Sequence, residues 1–156
     1  MAHRKSPARI AKDARVAHFR SLAAPQAAAL QAAAAPGPAL AWDAIASLEA
    51  RLVGRIVLPS SPDYNEARQE SNPAFQAYPE IIVYCACEND VLECLAVARA
   101  YKVWVAVRCG GHSTAGYSVN SGMVVDLSDM KGVVLDPARE RVHVLPGTDF
   151  DHFNGA

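Results

Sequence analysis

The feature that most constrains the fold is a strand–helix–strand pattern between residues 81 and 107. The run Ile-Ile-Val-Tyr-Cys at 81–85 is rich in β-formers and bounded by Pro79, which indicates a buried strand. A helical pattern follows near 89–101, and Val-Trp-Val-Ala-Val at 103–107 is typical of a second strand. This spacing predicts a right-handed βαβ crossover whose two strands are parallel.

The helix of this unit is expected to turn one apolar side toward the sheet. That side consists of Val91, Leu92, Leu95 and Ala98. Acidic residues near the start of the helix suit the positive end of its dipole.

The same signals predict the flanking elements. Helices are predicted at 42–52 and around 64–68, and strands at 55–59, 123–127, 132–135 and 141–145. The last of these strands alternates polar and apolar residues, so it should be half buried. Thr148 or Asp149 would cap a further helix. Since that helix has scarcely begun where the sequence ends, we expect the front portion of a longer protein.

A glycine-containing loop, Arg-Cys-Gly-Gly-His-Ser-Thr-Ala-Gly-Tyr-Ser at 108–118, follows the second strand of the βαβ unit. Ligands of open α/β sheets bind outside the carboxyl ends of strands, and tandem glycines let backbone N–H groups approach an anion. The position therefore predicts a phosphate-binding loop. The loop is neither a G-x-G-x-x-G fingerprint nor a P-loop, and Gly-Gly alone also occurs in ordinary loops.

The loop and its surroundings resemble a known family. With VWVAV before it and GMVVDLSDMKGVVLD after it, the loop resembles the FAD-binding PCMH-type domain of the vanillyl-alcohol oxidase superfamily, especially the berberine-bridge-enzyme-like FAD-linked oxidases. PEIIVYCACENDVLECLAVARAY is similar to the first strand and helix of that domain, and VLDPARERVHVLPGTDFDHFNGA also fits. The resemblance implies an α+β fold, with a small parallel βαβ subdomain followed by the start of an antiparallel-strand subdomain. It makes residues 41–156 the N-terminal portion of a truncated PCMH-type domain.

The resemblance also implies FAD as the cofactor, with its pyrophosphate wrapped by the loop. The residues carried over as cofactor-binding are Arg108, Cys109, Gly110, Gly111, His112, Ser113, Gly116, Ser118, Asp126 and Leu127. In many members the histidine matching His112 is bonded covalently to the 8α-methyl carbon of the flavin, and a neutral imidazole is a suitable nucleophile. Arg108 could instead pair with a nearby carboxylate.

Two positions depart from the family pattern. Cys109 stands where the family usually has a small Gly or Ser, which adds a thiol beside the flavin. Pro146-Gly147-Thr148 replaces a more glycine-rich turn that contacts FAD in the family.

The implied activity is that of an FAD-dependent oxidoreductase. A small-molecule substrate would be dehydrogenated at a C–OH or C–N carbon, with hydride transfer to FAD and reoxidation by dioxygen. No catalytic residue is identifiable in this chain, because the family's base belongs to a later substrate domain. The alternative is a truncated, catalytically silent FAD-binding or assembly fragment that needs a second, C-terminal polypeptide.

Charge and hydropathy argue against two other partner classes. With 15 Lys and Arg against 16 Asp and Glu, the chain lacks the basic excess expected of a nucleic-acid-binding protein. Its apolar runs are interrupted before the roughly 20 residues that a membrane-spanning helix needs. We therefore expect no nucleic-acid or membrane partner and a cytoplasmic location.

The four cysteines are Cys85, Cys87, Cys94 and Cys109. Their crowding in one part of the chain is unlike a secreted disulfide framework, which predicts reduced thiols buried in the core. A zinc site is disfavoured, because no second Cys or His pair completes the C-x-C spacing. No metal is expected.

The first 40 residues form an Ala-rich, basic segment that lies outside the resemblance. Residues 1–35 carry six basic side chains and one acidic side chain, and Ala-Pro-Gly-Pro follows at 35–38. This composition predicts a mobile extension. An organellar targeting peptide is the alternative, whereas a secretory signal is disfavoured because the segment has no apolar h-region followed by a cleavage site.

Overall fold

The computed structural model of the protein describes residues 40–155. Its helices are α1 (Trp42–Glu49), α2 (Tyr64–Ala67), α3 (Glu88–Tyr101) and α4 (Phe150–Asn154). Its strands are β1 (Arg55–Val57), β2 (Ile81–Tyr84), β3 (Val105–Arg108), β4 (Met123–Asp126), β5 (Val133–Asp136) and β6 (Arg141–Val144). Every helix and strand predicted from the sequence is present, with small differences at the ends.

Four strands form one sheet in the order β1-β2-β4-β3. β2 and β3 are both parallel to β4, whereas β1 pairs antiparallel with β2. The two strands of the predicted βαβ unit are therefore parallel, as expected, but β4 lies between them. Tyr84, Asp126 and Arg108 end β2, β4 and β3 and are register partners. Three carboxyl ends thus meet at one edge of the sheet.

The two faces of this sheet are both covered, which explains why its central strands are continuous apolar runs. On one face, alternate residues such as Ile81 and Val83 pack with Leu48 of α1 and Cys94 of α3. On the other face, the intervening residues of β2 and β4 pack with α2. Because side chains alternate along a strand, each run supplies both layers of the core.

The orientation of α3 differs from the prediction. Leu92 and Leu95 are 64% and 42% exposed, so placing them on the buried side was wrong. The buried residues of α3 are Asp90, Cys94, Val97 and Ala98. The helix is turned this way because the buried Asp90 carboxylate accepts hydrogen bonds from the backbone N–H groups of Val53, Gly54 and Ala86, contacts that apolar periodicity cannot reveal.

The hairpin formed by β5 and β6 is a separate two-stranded antiparallel sheet, joined by the 3₁₀ turn Pro137–Arg139. All four residues of β6 are exposed, so the prediction of a half-buried strand was wrong. The reason is that, among the described residues, no side chain of β5 or β6 belongs to a hydrophobic core cluster. Asp149 caps α4, because its side chain accepts a hydrogen bond from the N–H of His152.

The cysteines only partly follow the prediction. All four are free, and Cys85 and Cys94 are buried in the core, whereas Cys87 and Cys109 are half-buried. Within residues 40–155, no group of three or more His, Cys, Asp or Glu side chains is placed to hold a metal ion. Among these residues, too, no helix has the length and apolar character needed to cross a bilayer. Apart from Leu40, the predicted mobile extension lies outside the described residues.

Candidate functional site

The site lies at the edge where β2, β4 and β3 end. Arg108 and Asp126 form a buried ion pair there, with Nε and Oδ2 separated by 2.6 Å. Arg108 Nη1 also donates to the carbonyl of Gln69 at 3.3 Å. Of the two roles considered for Arg108, pairing with a carboxylate is therefore the one the structure shows.

Asp126 has little capacity left for a ligand. Its second oxygen, Oδ1, accepts from the backbone N–H and the hydroxyl of Ser128. The next residue, Leu127, donates its N–H to the carbonyl of Arg108 at 2.8 Å, and its side chain packs against the core. These contacts hold the ends of β3 and β4 together and fix the starting point of the glycine loop.

The glycine loop is fastened to Ser71, in the segment that follows α2. The Ser71 N–H donates to the carbonyl of Gly111 at 3.1 Å, and its hydroxyl donates to the carbonyl of Gly110 at 3.4 Å. In a trans peptide the N–H points opposite to the carbonyl. The N–H groups of Gly111 and His112 therefore both point away from Ser71.

The backbone donors of this loop are available to a ligand. None of the N–H groups from Cys109 to Ala115 donates a hydrogen bond to another residue of the described chain. Successive N–H groups that point the same way next to a residue with positive φ form an anion-binding concavity, and Gly111 has φ +66°. The geometry suits a phosphate or another anion.

Two cavities meet at the loop. The smaller, about 440 Å³, is polar, and the side chains of Arg55, Asp63, Tyr84 and Arg108 are among its lining. The larger, about 680 Å³, is bordered by His112 and by the aromatic side chains of Phe150 and Phe153. Cys109, Gly110 and Ser128 line both cavities. An elongated ligand with a polar end and an apolar end would match this pair.

The smaller cavity carries charged and aromatic groups in contact with each other. The guanidinium of Arg55 lies 3.9 Å from the ring centroid of Tyr84 and donates to Asp63 at 3.0 Å. Burial raises the pKa of Tyr84, an effect that Arg108 opposes. The phenol therefore stays neutral near pH 7 and can donate a hydrogen bond.

His112 is exposed and lies directly over Gly110. A Cβ added at Gly110 would lie 2.7 Å from Nδ1 of His112. The absence of a side chain at Gly110 thus allows the imidazole to lie over this backbone at the border of the larger cavity.

The structure brings most of the predicted site residues together. Arg108, Cys109, Gly110, Gly111 and Asp126 line the smaller cavity, and Cys109, Gly110 and His112 line the larger one. Ser113, Gly116, Ser118 and Leu127 line neither cavity. Ser113 instead accepts from the N–H of Tyr117 at 3.0 Å, and Gly116 has φ +73° and packs on Phe75, so these two residues shape the loop.

The sequence did not indicate the role of the segment Gln69-Glu70-Ser71, which contacts the glycine loop on the side opposite its outward N–H groups. It lies 39 residues before the loop in an irregular run without a motif, so no local pattern indicates the contact. A second missed contact involves Cys109, whose thiol donates to the carbonyl of Pro146 at 2.9 Å. The following residues, Gly147 and Thr148, line the larger cavity.

These residues fit a dinucleotide cofactor. Outward N–H groups suit a diphosphate, and the adjoining cavities are polar on one side and partly aromatic on the other. The profile of the family described as "FAD binding domain" matches residues 79–156, which is half of the chain.

Known proteins share both the sequence and the fold. FAD-linked oxidoreductase YgaK of Bacillus subtilis, itself uncharacterized, is 39% identical over 100 residues, covering 64% of this chain and 22% of that protein. The 6-hydroxy-D-nicotine oxidase of Arthrobacter nicotinovorans aligns with TM-score 0.59 and 24% identity over 62% of this chain and 22% of that one. The carbohydrate oxidase of Microdochium nivale aligns with TM-score 0.61 and 24% identity over 70% and 24%.

The chain thus spans between 22% and 24% of the length of these three proteins. The two solved oxidases confirm the expected PCMH-type fold, and the family match confirms FAD as the cofactor. By its profile match, its relatives and its fold, this chain belongs to the FAD-binding domain family of the FAD-linked oxidoreductases.

Proposed function

We propose that this chain is the FAD-binding part of an oxidase that dehydrogenates a small molecule at a C–OH or C–N carbon. This proposal is supported by the N–H groups of Gly111 and His112, which point away from Ser71 at the place where a polar and a partly aromatic cavity meet. When bound, FAD supplies the oxidising chemistry by accepting a hydride from the substrate and passing the electrons to dioxygen.

The protein's own part in this function is binding and orientation. The backbone donors of the glycine loop would hold the diphosphate, and the Arg108–Asp126 pair would keep the loop in place at the end of the sheet. Phe150 and Phe153 would cover the apolar part of the cofactor in the larger cavity. We assign no catalytic base within residues 40–155.

We further propose that His112 carries the flavin covalently. One imidazole nitrogen would form a bond to the flavin 8α-methyl carbon, and a methyl C–H bond and the imidazole N–H bond would be lost. The two electrons and the two protons released would pass by way of the flavin to dioxygen, giving hydrogen peroxide. The exposed imidazole at the larger cavity supports this assignment.

Denatured protein tests the covalent link. Flavin fluorescence should remain with the acid-precipitated wild-type protein and should be absent from precipitated His112→Ala. His143→Ala, which alters an exposed histidine of β6, is the matched control and should retain the flavin. Fluorescence that stays with precipitated His112→Ala would show that another residue is the attachment site.

A second candidate function is that of a silent FAD-binding fragment that needs a complementing C-terminal polypeptide. The exposed apolar side chains of the hairpin and α4 favour it, since Val134 and Phe150 are 64% and 82% exposed. Purified chain and chain co-expressed with the product of an adjacent reading frame would be supplied with FAD and with sugar, alcohol and amine substrates. Peroxide production by the purified chain alone would exclude the silent-fragment function, whereas production only after co-expression would support that function.

A further inference from the structure

Glu70 is a buried acid at the edge of the candidate site. It lies after α2 and is 6% exposed. Within the described part of the chain, neither of its carboxyl oxygens has a hydrogen-bond partner. Because an unpaired buried carboxylate is costly, the protonation state of this group is energetically important.

Glu70 is held directly against the glycine loop. Its Oε2 lies 3.8 Å from the position that a Cβ on Gly111 would occupy. The residues before and after Glu70 are both hydrogen-bonded, Gln69 to Arg108 and Ser71 to Gly111. Glu70 is therefore on the Ser71 side of the loop, opposite the outward N–H groups of Gly111 and His112.

Three charged or titratable groups from other elements face Glu70. They are Arg108 of β3, Asp126 of β4 and His112 of the loop. Burial raises the pKa of Glu70. Arg108 and His112 oppose this rise, whereas Asp126 adds to it. Arg108 compensates only partly because its guanidinium is already paired with Asp126.

We propose that Glu70 is a positioning residue for the loop and that the protein binds FAD most tightly when the Glu70 carboxyl carries its proton. The inference rests on the proposed role of the loop in binding the diphosphate. A carboxylate on one side of the loop and a diphosphate on the other would repel each other across the thickness of one peptide layer, and water would screen this repulsion weakly because Glu70 is buried. Binding would therefore take up a proton at Glu70.

The first test needs no cofactor. A carboxyl whose pKa is raised by folding destabilises the folded state increasingly as pH rises above its unfolded value, about 4.3. In urea unfolding of the cofactor-free chain, the stability advantage of Glu70→Gln over wild type should grow from pH 4.5 to pH 8. Glu49→Gln, at an exposed position of α1, is the control. An advantage that stays constant with pH would overturn the inference and leave the proposed function intact.

The second test measures FAD affinity by quenching of flavin fluorescence across pH 5.5–8.5. Both chains carry His112→Gln, which removes the proposed covalent attachment and the imidazole together, and one also carries Glu70→Gln. The Kd of the chain with Glu70 should rise with pH, by up to about tenfold per pH unit, and that of the double variant should stay constant. Equal pH dependence in both chains would overturn the inference. Absence of FAD binding in both chains and in wild type would contradict the proposed function and the inference with it.

Discussion

Gly110 and Gly111 are neighbours in the sequence, but a side chain at each position would meet a different obstacle. At Gly110 a Cβ would collide with the imidazole of His112, whereas at Gly111 the nearest atom would be 3.7 Å away. The obstacle at Gly111 is instead its φ of +66°, which L-residues with a Cβ rarely adopt. One glycine makes room for the histidine, and the other permits the turn that directs the N–H groups outward.

Gly110→Ala should separate cofactor attachment from stability. The added methyl displaces the exposed His112 ring, so we expect covalent flavin to be largely lost. The free energy of unfolding should change by less than about 0.5 kcal/mol, as for other surface substitutions. Acid precipitation and urea unfolding measure the two effects, and full flavin retention would show that the ring position is not required.

Gly111→Ala should act mainly on stability, because the strain that the substitution introduces is in the backbone. We expect the free energy of unfolding to fall by about 1–2 kcal/mol, the cost of a left-handed conformation for an L-residue. Gly155→Ala is the control, since Gly155 has a negative φ of -90° and a Cβ there would have only ordinary contacts. Equal stability of the two variants would contradict the assignment of strain.

At the scale of elements, Asp90 in the first turn of α3 determines how that helix packs. Its carboxylate accepts from the N–H groups of Val53, Gly54 and Ala86, each at 2.9 Å. Burial by itself would raise the pKa of Asp90, but these three donors and the side chain of Cys87 together outweigh it and lower the pKa. One side chain thus joins the start of α3 to the turn before β1.

Asp90→Ala should lower the free energy of unfolding by about 2–3 kcal/mol, because three backbone N–H groups lose a buried charged acceptor. Since folding lowers the pKa of Asp90, its stabilising contribution is fully present above the unfolded value of about 3.9 and is lost as pH falls through the folded value. Urea unfolding from pH 7 down to pH 2 should therefore show the gap between wild type and Asp90→Ala narrowing toward acid. Asp43→Asn, at an exposed position of α1, is the control, and a gap that is constant with pH would refute the role of the charge.

At the scale of the whole molecule, the described chain combines a sheet buried on both faces with an exposed hairpin. Val124 of β4 is fully buried, whereas Val134 and Leu135 of β5 are 64% and 55% exposed. The hairpin side chains therefore contribute little to the stability of this chain and form exposed apolar surface.

The contrast between the buried β4 and the exposed β5 predicts that substitutions in the two strands have unequal effects on the free energy of unfolding. Val124→Ala should lower the free energy of unfolding by about 2 kcal/mol through lost burial and a residual cavity. The double substitution Val134→Thr and Leu135→Gln should change it by less than about 0.5 kcal/mol but should reduce binding of a hydrophobic dye. A large loss of stability in the double variant would show that the hairpin packs against other parts of the chain.

The sequence alone determined the elements, the parallel direction of the βαβ strands and the position of the glycine loop at a strand end, because periodicity and turn chemistry are local. It did not indicate the burial of Asp90, the exposure of β6 or the contact between Ser71 and the loop. Only the tertiary structure decided that β4 lies between β2 and β3, that Arg108 pairs with Asp126 and that Glu70 lies beneath Gly111. The physical reason is separation along the chain: contacts between residues 18 to 39 positions apart depend on how the elements pack, and no local pattern encodes them.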